Sequence, residues 1–219
     1  MLPDAHNHAR AVDDIMRFIV GVDIVLFILV VGVMLFFVFK YHKKRHPKAV
    51  NIHSNVALEV LWTVIPVVLV LYMFYLGWEG FVQTLFAPKS AIPVKVIGRQ
   101  WSWRFQYENG KQSDTLYLPQ GRPVRFLITS LDVIHGFYIP AFREKQDALP
   151  GRVREMVLYP EELGTYEVTC SMYCGLNHAL MATEMIVIPE SQFMRWINTG
   201  VSAPVAANAD VTKSERLKD

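Results

Sequence analysis

The sequence predicts a membrane anchor of two helices followed by an all-β domain. Three observations predict this architecture: two long apolar runs near the N-terminus, a basic segment between them, and a later series of short strand-like segments. The chain has 219 residues, of which 52% are hydrophobic. This length and composition suit a membrane anchor joined to one domain.

The first apolar run covers residues 18–39, and its one charged residue is Asp23. At a rise of about 1.5 Å per residue, a helix of this length reaches about 33 Å, which is enough to cross a bilayer. The second run, residues 60–78, has no charge and carries tryptophan and tyrosine toward its ends, as interfacial segments do. We therefore predict two transmembrane helices rather than the buried core helices of a soluble protein. Residues 1–17 lack the basic start of a cleavable signal peptide and are predicted to form an exported N-terminal segment.

The segment between the two runs sets the orientation. The predicted loop, residues 40–59, begins with KYHKKRHPK, which has five basic residues and no acid. Short basic loops stay on the cytoplasmic or matrix side of the membrane, so both termini and residues 79–219 are predicted to lie on the periplasmic side. The formal charge of +2 comes from residues 1–78, because residues 79–219 hold equal numbers of acids and bases. A neutral domain gives no indication of nucleic-acid binding.

Residues 79–219 contain seven strand-like segments separated by proline, glycine, asparagine and aspartate. These segments are residues 93–107, 115–119, 123–130, 136–140, 153–160, 164–170 and 182–189. Short strands at this frequency are typical of an antiparallel sandwich or barrel. A short helix is predicted in SQFMRWINTG, and a loosely held C-terminal tail is predicted around SAPVAANAD.

The segment CSMYCGLNHALM, residues 170–181, contains both cysteines of the chain, together with His178 and Met181. Thiolate, imidazole and thioether are the soft ligands that copper prefers. His135, in SLDVIHGFYIP, is the one other histidine after residue 79. A disulfide between Cys170 and Cys174 is the alternative in an oxidising compartment. It needs neither His178 nor Met181, and the turn is short for disulfide geometry, so the pattern favours a copper site.

These motifs resemble subunit II of the haem-copper cytochrome c oxidases, a family with a dinuclear copper centre, CuA, in a cupredoxin-like Greek-key barrel. The resemblance covers nearly the whole chain: EVLWTVIP at the second span, then GRQWSWRFQY, SLDVIHGF, KQDALPGR and the Cys/His/Met loop. It implies that Cys170 and Cys174 bridge two copper ions. It further implies that His135 and Met181 complete one copper, and that His178 and the backbone carbonyl of Met172 complete the other.

The resemblance also implies a function. Subunit II of this family takes electrons from cytochrome c and passes them to haem a in subunit I, where oxygen is reduced and protons are pumped. Subunit I, subunit III, cytochrome c and the lipid bilayer are the partners expected on this basis. The chain has no C-x-x-C-H motif, so it is not expected to carry a haem of its own.

Two further residues receive roles through the resemblance. Trp101 is implied as the residue where electrons from cytochrome c arrive, and Glu59 as the entrance of a proton path into subunit I. From the residues alone, alternation in QWSWRFQY favours a packed core position for Trp101, and Glu59 is equally an ordinary carboxylate at a helix N-terminus. Acids that could steer a basic electron donor are Glu108, Asp114, Asp132 and Asp147.

Met172 departs from the pattern of the family, which has glutamate at this position as a ligand to a magnesium site shared with subunit I. A backbone carbonyl does not depend on the side chain, so the copper centre is expected to survive the change. A thioether is a poor ligand for hard magnesium, so we expect no Mg²⁺ ligand from position 172. This loop favours a bacterial oxidase in the cell inner membrane over a mitochondrial one.

Four alternatives share parts of the pattern. A mononuclear blue-copper carrier uses one cysteine, two histidines and a methionine, which leaves one cysteine without a role. A membrane-anchored copper chaperone of the Sco type has C-x3-C and a distant histidine, but its thioredoxin-like fold places helices between strands and leaves Met181 unused. A quinol oxidase subunit II lacks these ligands. A nitric oxide reductase with a similar CuA subunit differs in its partner chain, and this alternative stays open.

Overall fold

The structure, a computed structural model, describes residues 6–48, 51, 53–84 and 87–199. Among the described residues, those of 11–81 form one compact unit and those of 82–199 belong to the other. The predicted C-terminal tail from residue 200 lies outside the described residues. Residues 1–5 of the predicted N-terminal segment and residues 49, 50 and 52 of the predicted loop also lie outside them.

The first unit consists of the larger part of two long helices, α1 (His6–Lys40) and α2 (Val56–Thr84). Both are long and apolar enough to cross a membrane, by length and composition. The rings of Phe18 and Tyr72 meet edge to face with centroids 5.6 Å apart, so the first half of α1 lies beside the second half of α2. This contact is that of an antiparallel helical hairpin.

Both helices extend beyond the apolar runs, because an apolar run marks only the part of a helix that suits the bilayer. The polar segment before residue 18 contains no internal proline or glycine after residue 6, and it continues α1 toward the N-terminus. Asn55 caps α2: its side-chain oxygen accepts a 3.2 Å hydrogen bond from the backbone N–H of Leu58. Glu59 therefore lies in the first turn of α2, within the segment predicted as loop.

The second unit is a sandwich of two five-stranded sheets followed by a short helix, α3 (Glu190–Asn198). The strands are β1 (Ile92–Arg99), β2 (Ser102–Tyr107), β3 (Gln112–Ser113), β4 (Leu116–Pro119), β5 (Val124–Ser130), β6 (His135–Ile139), β7 (Glu144–Ala148), β8 (Arg154–Leu158), β9 (Gly164–Cys170) and β10 (Ala182–Ile188). One sheet has the order β3-β2-β1-β5-β8 and the other the order β4-β10-β9-β6-β7. The fold class predicted from the sequence, two helices and an all-β domain, is confirmed.

The strand pairings are mixed rather than wholly antiparallel. The β1–β5 pair and the β4–β10 pair are parallel, and the other ladders are antiparallel. The predicted strand 93–107 is a hairpin, because the chain turns between Arg99 and Ser102 to form β1 and β2. The inner faces alternate with the outer ones, as in β5, where Val124, Phe126 and Ile128 are buried. These residues and Phe105 of β2 form the core with the inner residues of the facing sheet, including Phe137, Leu118, Val168 and Met185.

Candidate metal centre

The copper-binding candidates come from the ends of two neighbouring strands in one sheet. His135 is the first residue of β6, Cys170 is the last residue of β9, and β6 pairs with β9 through Phe137 and Cys170. The remaining candidates lie in the loop that joins β9 to β10. The backbone N–H of Cys170 donates to the carbonyl of Met181 at 3.1 Å and closes this loop at its base. Sheet pairing thus brings residues that are 35 positions apart in the chain to one place.

The donor atoms form a chain of short separations centred on the two sulfurs. The Sγ atoms of Cys170 and Cys174 are 3.8 Å apart, and both cysteines are free. Nδ1 of His135 lies 3.9 Å from Sγ of Cys170. Nδ1 of His178 lies 3.5 Å from Sγ of Cys174. Each thiol therefore has an imidazole of its own.

The two weaker donors complete the group. Sδ of Met181 lies 3.8 Å from Sγ of Cys174. The carbonyl oxygen of Met172 accepts a hydrogen bond from the Cys170 thiol at 3.2 Å. The structure thus brings together the six donor atoms that the resemblance to the oxidase family implied.

These separations fit metal binding. Two ligands held about 2.3 Å from one ion at a tetrahedral angle are about 3.8 Å apart, which is the spacing of the two sulfurs. The ligand atoms of His135, Cys170 and Cys174 all lie within 4.8 Å of one another, and the three residues are buried. Met181 is also buried, with 1% of its surface exposed. Two buried thiols, a buried and a half-buried imidazole, and a buried thioether suit a soft transition metal such as copper.

Asp132 orients the imidazole of His135. Nε2 of His135 donates a 2.8 Å hydrogen bond to Oδ1 of Asp132, and His135 is fully buried. Burial raises the pKa of Asp132, but two backbone N–H groups and His135 lower it more, to about 2. Asp132 therefore stays ionised and holds the proton of His135 on Nε2, so Nδ1 keeps its lone pair on the side of Cys170.

The thiol of Cys174 holds its proton in the metal-free chain. Burial, the hydrogen bond and charge of Cys170, and the charge of Asp132 together raise the pKa of Cys174 to about 11. Because a metal binds the thiolate, the ion must displace this proton when it enters the site.

Gly98 and Trp103 bound the other side of the His135 ring. The rings of Trp103 and His135 meet edge to face with centroids 6.0 Å apart. A Cβ atom at Gly98 would lie 3.0 Å from Cδ2 of His135 and 3.1 Å from Cζ3 of Trp103. The absence of a side chain at Gly98 therefore leaves the space that the imidazole occupies.

Trp101 lies in the turn before β2 rather than in the strand. It is half-buried against the core, whereas Trp103 and Phe105 are buried as the alternation predicted. Its indole Nε1 donates a 3.3 Å hydrogen bond to the carbonyl of Cys174. Trp101 therefore contacts the loop between β9 and β10 directly and remains partly exposed to solvent.

Met172 lies in the β9–β10 loop, and Glu59 lies in α2. Met172 has 37% of its surface exposed. Glu59 is exposed in the first turn of α2, and its carbonyl accepts a 2.8 Å hydrogen bond from the hydroxyl of Thr63.

Comparison with known proteins agrees with this geometry. The profile of the cytochrome c oxidase subunit II transmembrane domain matches residues 2–76, and that of the subunit II periplasmic domain matches residues 111–191. Together the two profiles cover more than half of the chain. The chain belongs to the cytochrome c oxidase subunit II family. The family assignment makes its β domain cupredoxin-like and makes the protein a component of an oxidoreductase complex, anchored in a membrane with the β domain outside it.

The individual relatives have low sequence identity to this chain, but their alignments cover at least half of it. The chain is 28% identical to the probable cytochrome c oxidase subunit 2 of Rickettsia bellii, over 90% of this chain and 81% of the relative. It is 32% identical to cytochrome c oxidase subunit 2 of Alkalihalophilus pseudofirmus, over 85% of this chain and 58% of the relative. The crystal structure of the periplasmic domain of subunit II of cytochrome oxidase from Bradyrhizobium japonicum is 30% identical, with a TM-score of 0.49, over 52% of this chain and 95% of that domain.

Sequence reasoning missed two contacts of this subunit II site. Asp132 was predicted only as an acid that could steer a donor, yet it bonds His135. The spacing of Asp132 and His135, three residues apart in SLDVIH, was the available signal, because a histidine ligand commonly donates its second N–H to a carboxylate. Gln100 was quoted within GRQWSW without a role, and its contact with Cys174 depends on tertiary packing.

Proposed function

We propose that this chain is the electron-transfer subunit of a terminal respiratory cytochrome c oxidase. It accepts electrons from cytochrome c at a dinuclear CuA centre and passes them to haem a in subunit I. The observation that supports this most directly is the pair of free thiols 3.8 Å apart, each with an imidazole within 3.9 Å. The oxygen chemistry and proton pumping belong to subunit I, with subunit III as a further partner.

The residues perform this function by holding the site rigid. Copper, when bound, supplies the one-electron redox chemistry. Cys170 and Cys174 would hold the copper through their sulfurs after loss of the thiol protons, while Asp132 fixes the ring of His135. Burial of the thiols and of Met181 keeps water away from the sulfurs. Because the ligands are fixed by β6, β9 and the loop closed on Met181, little rearrangement accompanies gain or loss of an electron.

The proposed location is the inner membrane of a bacterial cell, with both termini and the CuA domain on the periplasmic side. The basic segment between α1 and α2 supports this orientation, because five basic residues occur between positions 40 and 48. The nitric oxide reductase and copper chaperone alternatives gain no support from the comparisons, whose named relatives are cytochrome c oxidase subunits.

Metal content and spectroscopy of the full-length chain in detergent test the proposal. After copper loading, we expect two copper ions per chain and an EPR hyperfine pattern of one electron shared by two nuclei. One copper per chain with a single-nucleus pattern would support a mononuclear carrier instead. Failure to retain any copper after removal of free metal would contradict a copper function altogether.

Glu59 is proposed to guard the entrance of a proton path. Glu59→Ala is expected to lower the steady-state turnover of the assembled oxidase severalfold while leaving the copper EPR signal unchanged, because an ionisable group at the membrane boundary can relay protons. Glu79→Ala is the matched control, since Glu79 is an exposed carboxylate at the other end of α2. Equal turnover in the Glu59→Ala and Glu79→Ala enzymes would indicate a helix-end carboxylate without a proton-transfer role.

Met172 is proposed to leave the subunit II side of the magnesium site without a ligand. Met172→Glu is expected to add a carboxylate there without loss of copper, because the backbone carbonyl remains. With manganese as the probe, the assembled variant should give a bound-metal EPR signal and the parent little or none. Met194→Glu, which adds the same charge on exposed α3, is the control. Tight manganese binding by the parent through a subunit II carboxylate would disprove this prediction.

A further inference from the structure

Gln100 contacts the β5–β6 loop, which precedes His135, and the β9–β10 loop, which supplies the other candidate ligands, and the proposed function gives it no role. Its backbone N–H donates a 2.7 Å hydrogen bond to Oδ2 of Asp132, the carboxylate that orients His135. Its side-chain Nε2 donates a 2.8 Å hydrogen bond to the carbonyl of Cys174. One residue of the β1–β2 turn is thus bonded to the β5–β6 loop and to the β9–β10 loop.

The contact with Cys174 is closely packed. Gly175, the next residue, has a φ of +117°, which favours glycine, and a Cβ atom there would lie 3.2 Å from Nε2 of Gln100 and 3.4 Å from the indole of Trp101. The lack of a side chain at Gly175 lets both donors reach the Cys174 carbonyl. Of the two, Gln100 makes the shorter bond, 2.8 Å against 3.3 Å for Trp101.

We propose that Gln100 is a positioning residue of the copper centre, one that fixes His135, through Asp132, relative to the ligands of the β9–β10 loop. This inference rests on the proposed function. Holding the Cys174 carbonyl fixes the backbone from which the Cys174 sulfur projects, and that sulfur lies within 3.8 Å of Cys170, His178 and Met181. A shift of the Cys174 backbone therefore moves the shared sulfur relative to all three neighbours.

A side-chain substitution separates the two bonds of Gln100. The bond to Asp132 uses the backbone N–H and is retained in any variant other than proline. The bond to Cys174 uses the side chain and is lost in Gln100→Met, which keeps a similar length without an N–H donor. The variant consequently tests the Cys174 bond while the partner of His135 stays in place.

Gln120→Met is the matched control. Gln120 is also exposed, and its Nε2 donates a 2.8 Å hydrogen bond to the backbone carbonyl of Glu161. It follows β4, which pairs with the end of β10 distant from Met181. Gln120→Met therefore removes the same kind of hydrogen bond at a place distant from the β9–β10 loop.

The experiment compares parent, Gln100→Met and Gln120→Met as full-length chains loaded with copper in detergent. Loss of an outer partner of a metal ligand commonly costs on the order of tenfold to hundredfold in metal affinity. We expect Gln100→Met to release copper to a competing chelator about tenfold faster than the parent and to show an altered EPR hyperfine pattern. Gln120→Met should match the parent in both measurements.

Each outcome decides between a positioning role and a general structural one. Parent-like copper release and EPR in Gln100→Met would overturn the inference, and so would equal changes in Gln100→Met and Gln120→Met. If Gln100→Met fails to fold, Gln100→Glu keeps the length and polarity without the amide donor, and failure of both to fold would also overturn the inference in favour of a folding role. A parent that does not bind two coppers would instead refute the proposed function, and the inference with it.

Discussion

Cys174→Ser is expected to abolish the dinuclear copper centre while leaving the β-sandwich folded. Sγ of Cys174 lies within 3.8 Å of Cys170, His178 and Met181, so its removal deprives three other donors of a shared neighbour. A serine hydroxyl has nearly the same shape but does not ionise at neutral pH and is a hard ligand. The copper content should fall from two ions per chain to one or none, and the shared-electron EPR pattern should disappear.

Ser171→Ala is the control for this prediction, because Ser171 lies in the same loop and is exposed. It should retain two coppers per chain and the parent EPR pattern. Circular dichroism melting checks that Cys174→Ser is folded. A folded Cys174→Ser chain that still binds two copper ions sharing one electron would show that Cys174 is not a bridging ligand.

Much of the fold was predictable because its signals are local in the sequence. Apolar length predicted the two helices, and alternation predicted β5, β9 and β10 to within a residue or two. β7, with the sequence EKQDA, was missed because its composition is polar and has little β-propensity. It forms at a sheet edge and pairs with β6, so its position depends on β6 rather than on its own side chains.

The candidate site was predictable where its donors lie close in sequence. Cys170, Cys174, His178 and Met181 fall within one loop, and their chemistry is distinctive. Alternation predicted a buried core position for Trp101, whereas this residue is half-buried against the core, because period-two arguments apply only within a strand and the chain turns before Ser102. The bonds of Gln100 join residues 32 and 74 positions apart, and no local pattern predicts such contacts.

Trp101→Phe is expected to slow reduction of the copper centre by cytochrome c roughly tenfold, because a partly exposed tryptophan is a strong anchor for a transient partner. Trp101 is half-buried, and its Nε1 donates a 3.3 Å hydrogen bond to the carbonyl of Cys174. The copper EPR spectrum should change little, because the shorter 2.8 Å bond from Gln100 still holds that carbonyl.

Stopped-flow mixing of reduced cytochrome c with the copper-loaded full-length chain measures this rate. Trp196→Phe is the control, since Trp196 is a buried tryptophan of α3 that packs against Tyr107 and Tyr117. The variants of the two turn residues should then differ in their effects. Gln100→Met alters the spectrum and copper release, whereas Trp101→Phe alters the reduction rate. If Trp101→Phe accepts electrons as fast as the parent, or if its EPR pattern changes as much as that of Gln100→Met, Trp101 supports the copper loop and is not the residue where electrons arrive.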